Sequence, residues 1–192
     1  MLENNDLQSV REFLRGKEMS LDVLLKKYLK PIYNFLFQIV RERSILDDLT
    51  QETFIKVWKN LSHFDQAKSF KTWIFTVAKN TAFDYLRKKK TIPFSFFLNE
   101  DDHNYLENIQ SLEILPNEIL EKKDISKELE QKLKKLSPDY RLILILHYQN
   151  DFSLKEIAEM LNKPYNTIKS GHNRAIKALK HEFDASKLPD RT

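Results

Sequence analysis

Residues 47–58 read Asp-Asp-Leu-Thr-Gln-Glu-Thr-Phe-Ile-Lys-Val-Trp, and their spacing decides what kind of element they form. Apolar residues recur every three or four positions, which is the period of an α-helix with one buried face. On a helical projection, that face carries Leu46, Leu49, Phe54, Val57, Trp58 and Leu61. The stretch therefore predicts an amphipathic helix over about residues 44–61.

The opposite face of this helix carries Asp48, Gln51, Glu52 and Lys59, with Ile55 among them. An apolar residue ringed by polar groups is typical of a protein-docking surface, although single exposed apolar residues are common and need no function. Asp48 and Glu52 lie one turn apart and could share a cation. No histidine or further carboxylate at useful spacing completes such a site, so the pattern favours a solvated face without metal or catalysis.

A second informative stretch, residues 70–90, reads FKTWIFTVAKNTAFDYLRKKK. Its predicted core stripe consists of Phe70, Ile74, Val77, Ala78, Thr81 and Tyr85. Outside that stripe lie Thr72, Phe75, Thr76, Lys79, Asn80, Phe83 and Arg87. Aromatic rings interleaved with cations suit unpaired bases, since stacking contributes ~1–3 kcal/mol per base. The alternative is that Phe75 and Phe83 make a second packing contact, and for Phe75 this alternative is favoured.

The C-terminal part has the pattern of a helix-turn-helix. Ser153 followed by Glu156 predicts a capping box at the start of a short helix, and residues 162–164 form a turn that ends in proline. In the next helix the predicted buried seam is Ile168, Ala175, Ile176 and Leu179, which leaves Lys169, Ser170, Asn173 and Arg174 to face a major groove. A generic helical hairpin is the alternative interpretation.

Composition and charge bound the remaining possibilities. The 192 residues include no cysteine, so disulfides and thiolate zinc sites are excluded, and we expect a cytoplasmic protein with no membrane span and no cofactor. Residues 1–90 hold 17 basic and 11 acidic side chains, residues 91–121 hold seven acids and no lysine or arginine, and residues 122–192 hold 15 basic and ten acidic side chains. Two basic blocks joined by an acidic segment fit two nucleic-acid-binding domains, although lysine-rich helical surfaces are also common.

The chain as a whole is predicted to be all-α, with two small helical bundles joined by a flexible acidic linker. We place the domains at residues 1–93, 94–121 (the linker) and 122–192, the last being the helix-turn-helix domain. Predicted helices cover about residues 6–15, 20–43, 44–61, 70–89, 118–136, 138–149, 154–161 and 165–183. Gly16 is expected to end the first helix, and Pro31 to bend the second.

Both halves resemble one family, the extracytoplasmic-function (ECF) sigma factors of bacterial RNA polymerase. The stretch from Asp47 to Trp58 and the stretch from Phe70 to Arg87 look like sigma region 2, including the pairs Phe70/Trp73 and Ala78/Asn80. The stretch from Leu136 to Leu179 looks like region 4. The resemblance covers roughly residues 7–90 and 128–182, in the order and spacing expected of the family.

The resemblance implies an alternative sigma factor that binds core RNA polymerase, directs it to specific promoters and promotes DNA melting, with no catalysis of its own. The face bearing Asp48, Gln51, Glu52 and Ile55 would dock on the polymerase clamp helices. The −10 element would be recognised and its melted strand held by Phe64, Asp65, Thr72, Trp73, Thr76, Asn80, Phe83 and Arg87. The −35 duplex would be read by Lys169, Ser170, Asn173 and Arg174, with region 4 contacting the polymerase flap. The linker would thread the active-centre cleft, and an anti-sigma factor is a possible partner.

Some positions depart from the family's pattern. Relatives usually have arginine at the position of Gly171 and an aliphatic residue at that of His172, and the usual glycine of the recognition loop is replaced by Lys68-Ser69. A glycine within a helix costs ~1 kcal/mol relative to alanine. His172 is expected to be a partly buried packing residue.

The sequence also bears on two other classes of function. The first is an autonomous LuxR-type helix-turn-helix regulator, which the segment from Thr167 to Leu179 also resembles, although the first 90 residues offer neither a dimer face nor a receiver face. The second is a helical enzyme. The sequence contains no nucleophile paired with a base, no metal cluster and no cofactor loop.

Overall fold

The computed structural model describes residues 2–17, 19–89 and 123–185. All regular elements in these ranges are helical, which confirms the predicted all-α class. The chain divides into two compact units, Met1–Asp101 and Asp102–Thr192, and each has its own core. The predicted linker 94–121 and its exact boundaries lie outside the described residues, so the division at those positions stays a prediction.

The first unit contains four α-helices: α1 (Leu2–Leu14), α2 (Met19–Val40), α3 (Leu46–Asn60) and α4 (Phe70–Lys88). Short 3-10 segments, Arg43–Ile45 and Leu61–His63, precede and follow α3. Helix α2 packs against α1, α3 and α4, and α3 packs against α4. The shared core is built from aliphatic and aromatic side chains that are at most 4% exposed, among them Leu24, Ile32, Phe35, Leu36, Leu46, Phe54, Val57, Ile74 and Phe75.

Helix ends in the first unit follow local backbone chemistry. Gly16 adopts a positive φ of 90° and its N–H donates to the carbonyl of Phe13, so it ends α1 as predicted. The prediction that α2 extends to residue 43 is wrong. Arg41 takes the left-handed conformation (φ 59°) while its N–H still donates to Phe37 O at 2.9 Å, and this ends the helix at Val40. Helix α2 passes through Pro31 and remains a single helix.

A buried polar cluster joins α1 to α2. Asp6 is 4% exposed. Its carboxylate accepts a hydrogen bond from the Tyr28 hydroxyl at 2.5 Å and forms an ion pair with the Lys27 ammonium at 2.5 Å. Further along the hairpin, the hydroxyl of Ser20 donates to Glu12 Oε2 at 3.0 Å. Because a buried carboxylate without partners would be very costly, this cluster fixes the register of the two helices.

The second unit contains α5 (Lys123–Lys135), α6 (Pro138–Leu144), α7 (Leu154–Leu161) and α8 (Tyr165–Ala185). The predicted single helix 138–149 changes at Ile145 into a π-helical segment, Ile145–Gln149. Five consecutive apolar residues, Leu142 to Leu146, are all buried, so this element runs through the core of the unit. Helices α5 and α8, with Leu136 directly after α5, close one side of it through Leu133, Leu136, Ala175, Ile176 and Leu179.

Candidate nucleic-acid and protein interfaces

The exposed face of α3 carries the four side chains predicted to dock on a protein. Asp48, Gln51, Glu52 and Ile55 are all exposed, and Ile55 is 49% exposed although the other apolar side chains of α3 are buried or half-buried. Two threonines complete the inner side, since Thr50 and Thr53 donate their hydroxyls to the carbonyls of Leu46 and Leu49 at 2.7 Å each. The inner face of the helix is therefore apolar, with the hydroxyls of its two threonines hydrogen-bonded. The outer face is polar, with Ile55 as its one apolar residue.

Glu52 pairs with a lysine of its own helix, and that lysine also contacts α4. Its carboxylate pairs with Lys56 Nζ at 2.8 Å, and the same ammonium donates to Thr81 Oγ1 of α4 at 3.2 Å. Within the described residues, no group of three or more histidine, cysteine or carboxylate side chains could hold a metal ion. Asp48 and Glu52 share the exposed face of α3 with Ile55.

The loop between α3 and α4, residues 62–69, is ordered by its own turn. The N–H of Lys68 donates to Asp65 O, and the N–H of Ala67 donates to Asp65 Oδ1, each at 3.0 Å. Ser69 caps α4 by accepting a hydrogen bond from the N–H of Thr72. Asp65, Ala67 and Lys68 are exposed, so the turn presents its tip to solvent.

An aromatic cluster lies beneath this loop. The ring of Phe64 stacks at a tilt on Trp73, with centroids 4.9 Å apart, and meets Phe70 edge-on at 5.6 Å. Phe64 and Thr72 are only 6% and 8% exposed, which corrects the expectation that both side chains line the surface. They shape that surface from beneath, whereas Trp73 is half-buried and reaches it.

Farther along α4, the predicted outer face is only partly exposed. Asn80 and Arg87 are exposed, and Thr76 and Phe83 are half-buried. Phe75 is 1% exposed and packs on Phe35 with ring centroids 5.1 Å apart, so the packing alternative for Phe75 is confirmed. Lys79 is 9% exposed, and its ammonium lies 5.9 Å from the centroid of the Phe83 ring. Burial lowers the pKa of Lys79, because the charged form loses hydration there.

The basic end of α4 is bound to the short connection between α2 and α3. Glu42 accepts a hydrogen bond from the Tyr85 hydroxyl at 2.9 Å and forms an ion pair with the Lys89 ammonium at 2.5 Å. These donors, with Lys89 the stronger, lower the pKa of Glu42. Arg87 pairs with Asp84 at 2.9 Å on the exposed side. The cations at this end of the helix therefore include both an anchored lysine and an arginine that faces solvent.

The helix-turn-helix has the predicted local chemistry. The N–H of Ser153 donates to Glu156 Oε2 at 2.8 Å, and Ser153 Oγ accepts from the N–H of Glu156 at 3.3 Å, which confirms the capping box. Asn162 ends α7 in the left-handed conformation with φ 51°, and α8 begins at Tyr165 after Pro164. The predicted seam of Ile168, Ala175, Ile176 and Leu179 is buried.

The outer face of α8 holds the residues predicted to read the duplex and further exposed residues that the sequence did not single out. Lys169 is exposed, while Ser170, Asn173 and Arg174 are half-buried, and Ser170 Oγ donates to Asn166 O at 2.8 Å. Tyr165, Asn166 and Thr167 at the start of the helix are exposed. The signal for them was available, because the first residues of a recognition helix are the ones that usually contact base edges.

Gly171 and His172, the two departures in α8, have packing roles. A Cβ built on Gly171 would lie 3.0 Å from Ile143 Cδ1, so glycine allows α8 to approach α6 closely. His172 is half-buried as predicted, and it contacts Tyr148 and His147 of the π-helical segment. Glycine at 171 therefore matches this chain's own helix packing.

Comparisons with known proteins agree with this architecture. Residues 24–92 match the model of Sigma-70 region 2, and residues 126–179 match that of Sigma-70, region 4. The chain is 31% identical over 166 residues to the ECF RNA polymerase sigma factor SigM of Bacillus subtilis, covering 84% of this chain and 94% of SigM. It is 27% identical to SigW of the same organism over 179 residues, covering 91% of this chain and 94% of SigW.

Solved structures share the fold. The structure of CnrH in complex with the cytosolic domain of CnrY aligns with a TM-score of 0.67 at 18% identity, covering 94% of this chain and 98% of CnrH. The sigma factor RpoE of Bartonella quintana, in complex with the anti-sigma factor NepR, aligns with a TM-score of 0.63 at 24% identity, covering 88% of this chain and 98% of RpoE.

The two units, in this order, define a sigma factor of the Sigma-70 class. More narrowly, the chain belongs to the ECF sigma factors, and it is an alternative sigma factor that directs RNA polymerase to promoters. The LuxR-type regulator is not favoured. None of the helices in the described ranges has the length and hydropathy needed to cross a bilayer.

Proposed function

We propose that this sigma factor docks on the clamp helices of core RNA polymerase through the outer face of α3. The observation that carries the proposal is the 49% exposure of Ile55 between the exposed side chains of Asp48, Gln51 and Glu52. Burying such an apolar centre inside a polar rim is the common anatomy of a protein interface. Glu52 forms an exposed ion pair with Lys56 one turn along the helix, so both charges belong to the polar rim around Ile55.

The −10 element is assigned to the loop 62–69 and to α4. Asp65 at the exposed turn would contact the base that leaves the duplex, and Trp73, Thr76, Asn80 and Phe83 would hold the melted strand along the helix. Phe64 and Thr72 support that surface from beneath, and Arg87 supplies a solvent-facing cation for the backbone. The mechanism is energetic: captured bases offset the unstacking cost of a few kcal/mol per flipped base.

The −35 element is assigned to α8. Lys169, Ser170, Asn173 and Arg174 form one side of the helix, and the exposed Tyr165, Asn166 and Thr167 extend it toward the N-terminal end. A recognition helix lies in the major groove with that end against the bases, so we add these three residues to the predicted set. Lys155 at the start of α7 is exposed and Lys163 within the turn is half-buried, and both would supply positive charge for backbone phosphates.

The proposal also covers the domain boundaries, the linker, the cellular compartment and a regulator. We infer domains at residues 1–93 and 122–192, a linker at 94–121 that passes through the polymerase, and a flap contact made by region 4. The protein acts in the cytoplasm, without catalysis and without a cofactor. An anti-sigma factor is the proposed negative regulator, by analogy with the RpoE of similar fold that was solved bound to NepR.

A gel-shift experiment tests the proposal. The purified chain, core polymerase, and the two together are each incubated with a labelled fragment carrying a promoter of this sigma factor. A shift that requires both proteins supports the proposal. A specific shift of equal affinity with the chain alone would instead indicate an autonomous regulator.

A further inference from the structure

A hydrogen bond between side chains that are far apart in sequence links α1 to the loop 62–69. Arg11 Nε donates to Gln66 Oε1 at 2.9 Å, across 55 residues of sequence. Gln66 is the second residue of the four-residue turn that the Lys68 N–H closes onto Asp65 O. A contact to this position therefore acts on the tip of the turn, which lies between the two fixed ends of the loop.

Those two ends are held in other ways. On one side the buried ring of Phe64 packs on Phe70 and Trp73, and on the other Ser69 caps α4. The tip itself, from Asp65 to Lys68, is mostly exposed. A short exposed turn has many nearby conformations, and a side-chain tether reduces their number.

Helix α1, which carries Arg11, is itself anchored by buried and hydrogen-bonded side chains. Val10, which precedes Arg11, is fully buried, and Asp6 one turn earlier is fixed by Tyr28 and Lys27. Glu12 accepts hydrogen bonds from Ser20 and Gln8. The backbone that carries Arg11 is thus anchored on both sides, so the guanidinium can hold the loop without α1 itself moving.

We infer that Arg11 is a positioning residue for promoter recognition, and that it acts through Gln66 by holding the turn in the conformation that discriminates among −10 sequences. The inference rests on the proposed function, in which this loop reads the −10 element. Arg11 then contributes to the choice of base without touching it. Because the tether is a single solvent-exposed hydrogen bond, its effect on discrimination is expected to be modest, about threefold.

The experiment uses holoenzyme reconstituted with the full chain. Transcription is measured from a promoter mapped with the unmodified protein and from versions carrying single −10 substitutions, and the ratio of the two rates is the discrimination. The variants are Arg11→Ala, Gln66→Ala, the double variant and Asp65→Ala. Arg15→Ala is the matched control, since Arg15 is an exposed arginine one turn beyond Arg11.

The tether predicts that Arg11→Ala and Gln66→Ala each lower the discrimination about threefold, that the double variant is no worse than either, and that Arg15→Ala keeps the original ratio. Core affinity and the melting temperature should stay unchanged in all of them. Additive losses in the double variant would contradict action through one contact. A uniform loss at every promoter, with a shallower salt dependence for Arg11→Ala alone, would show a phosphate contact instead and overturn the inference.

Asp65→Ala separates failure of the inference from failure of the proposed function. If Asp65→Ala lowers the discrimination while Arg11→Ala and Gln66→Ala do not, the loop reads the −10 element and only the tether is wrong. If none of the loop variants changes the ratio, the loop does not read that element, and the assignment on which the inference rests is wrong as well.

Discussion

The hydroxyl of Tyr148 lies 3.1 Å from Nε2 of His172, and the two rings stack with centroids 5.7 Å apart. This contact joins the π-helical segment to the recognition helix α8. His147 lies edge-on to His172 at 5.1 Å, and its Nδ1 is 2.7 Å from the carbonyl oxygen of Phe152. The position of α8 therefore depends in part on a half-buried imidazole.

The stability of the second unit should consequently depend on the charge of His172. Burial, and secondly the neighbouring His147, lower the pKa of His172 below its usual 6.5. The neutral form is favoured in the fold, so the stabilisation is present above about pH 6.5 and is lost as the pH falls through the lowered pKa. His172→Leu should remove this pH dependence. The quantity to measure is the protection of the α8 amides from hydrogen exchange, relative to the exchange rate of an unfolded chain at the same pH, between pH 7.5 and 5.5. His181→Leu, at an exposed position of the same helix, is the control; the same pH dependence in His172→Leu and in the unmodified protein would contradict the assignment.

Asp139 should show a pH dependence of the opposite sign. Burial raises its pKa to about 6, with Lys163 partly opposing the shift. In the folded chain the Asp139 carboxyl stays protonated up to about pH 6, whereas in the unfolded chain it loses its proton near pH 3.8. The free energy of unfolding therefore falls as the pH rises from about 4 through 6. Asp139→Asn should stabilise the second unit at pH 7.5 by roughly 1 kcal/mol, discounted for partial solvation, and by almost nothing at pH 3.5. Urea unfolding at both pH values measures this, with the exposed Asp184→Asn as control; an equal effect at both would count against the burial of a charged carboxylate.

The proposed docking face on α3 should be sensitive to a single charge. Ile55→Asp places a carboxylate in the apolar centre and should weaken core binding at least about thirtyfold, as hot-spot residues do, while leaving the fold intact. Val23→Asp is a matched control, because Val23 on α2 is also 49% exposed and lies outside the proposed interface. Fluorescence titration against labelled core polymerase gives both affinities. Similar losses in the two variants would show that Ile55 has no special role.

Asn80 on α4 should affect DNA opening more than assembly. Its side chain is exposed beside the half-buried Phe83, and the proposal has it hold the melted strand. Asn80→Ala should reduce the permanganate reactivity of promoter thymines several-fold while core affinity is retained, since the α3 face is untouched. Asn34→Ala changes an exposed asparagine of α2 and should leave both unaltered. Undiminished thymine reactivity in Asn80→Ala would remove Asn80 from the melting surface.

Elements governed by local chemistry were predictable from the sequence. The bounds of α7, Leu154–Leu161, match the prediction because Ser153 and Glu156 form their capping box within one turn. The exposure of Ile55 likewise follows from the helical period of α3. In these cases the controlling residues lie within a few positions of one another, and one face of each helix meets the core.

Features that depend on tertiary contacts were not predictable in this way. Helix α4 packs against both α2 and α3, so its buried surface is wider than one stripe and includes Thr72, Phe75 and Lys79. Arg41 ends α2 in a left-handed backbone conformation, and the sequence has no glycine at this position to predict it. The contact between Arg11 and Gln66 joins residues whose proximity arises only when the bundle has formed.

The most direct test of the whole account is the mapping of transcript starts made by core polymerase on genomic DNA, with and without this chain. We predict a set of starts that appears only when the chain is present, shares sequence in the −10 and −35 regions and disappears with Ile55→Asp. A set of starts that is the same without the chain would contradict the account.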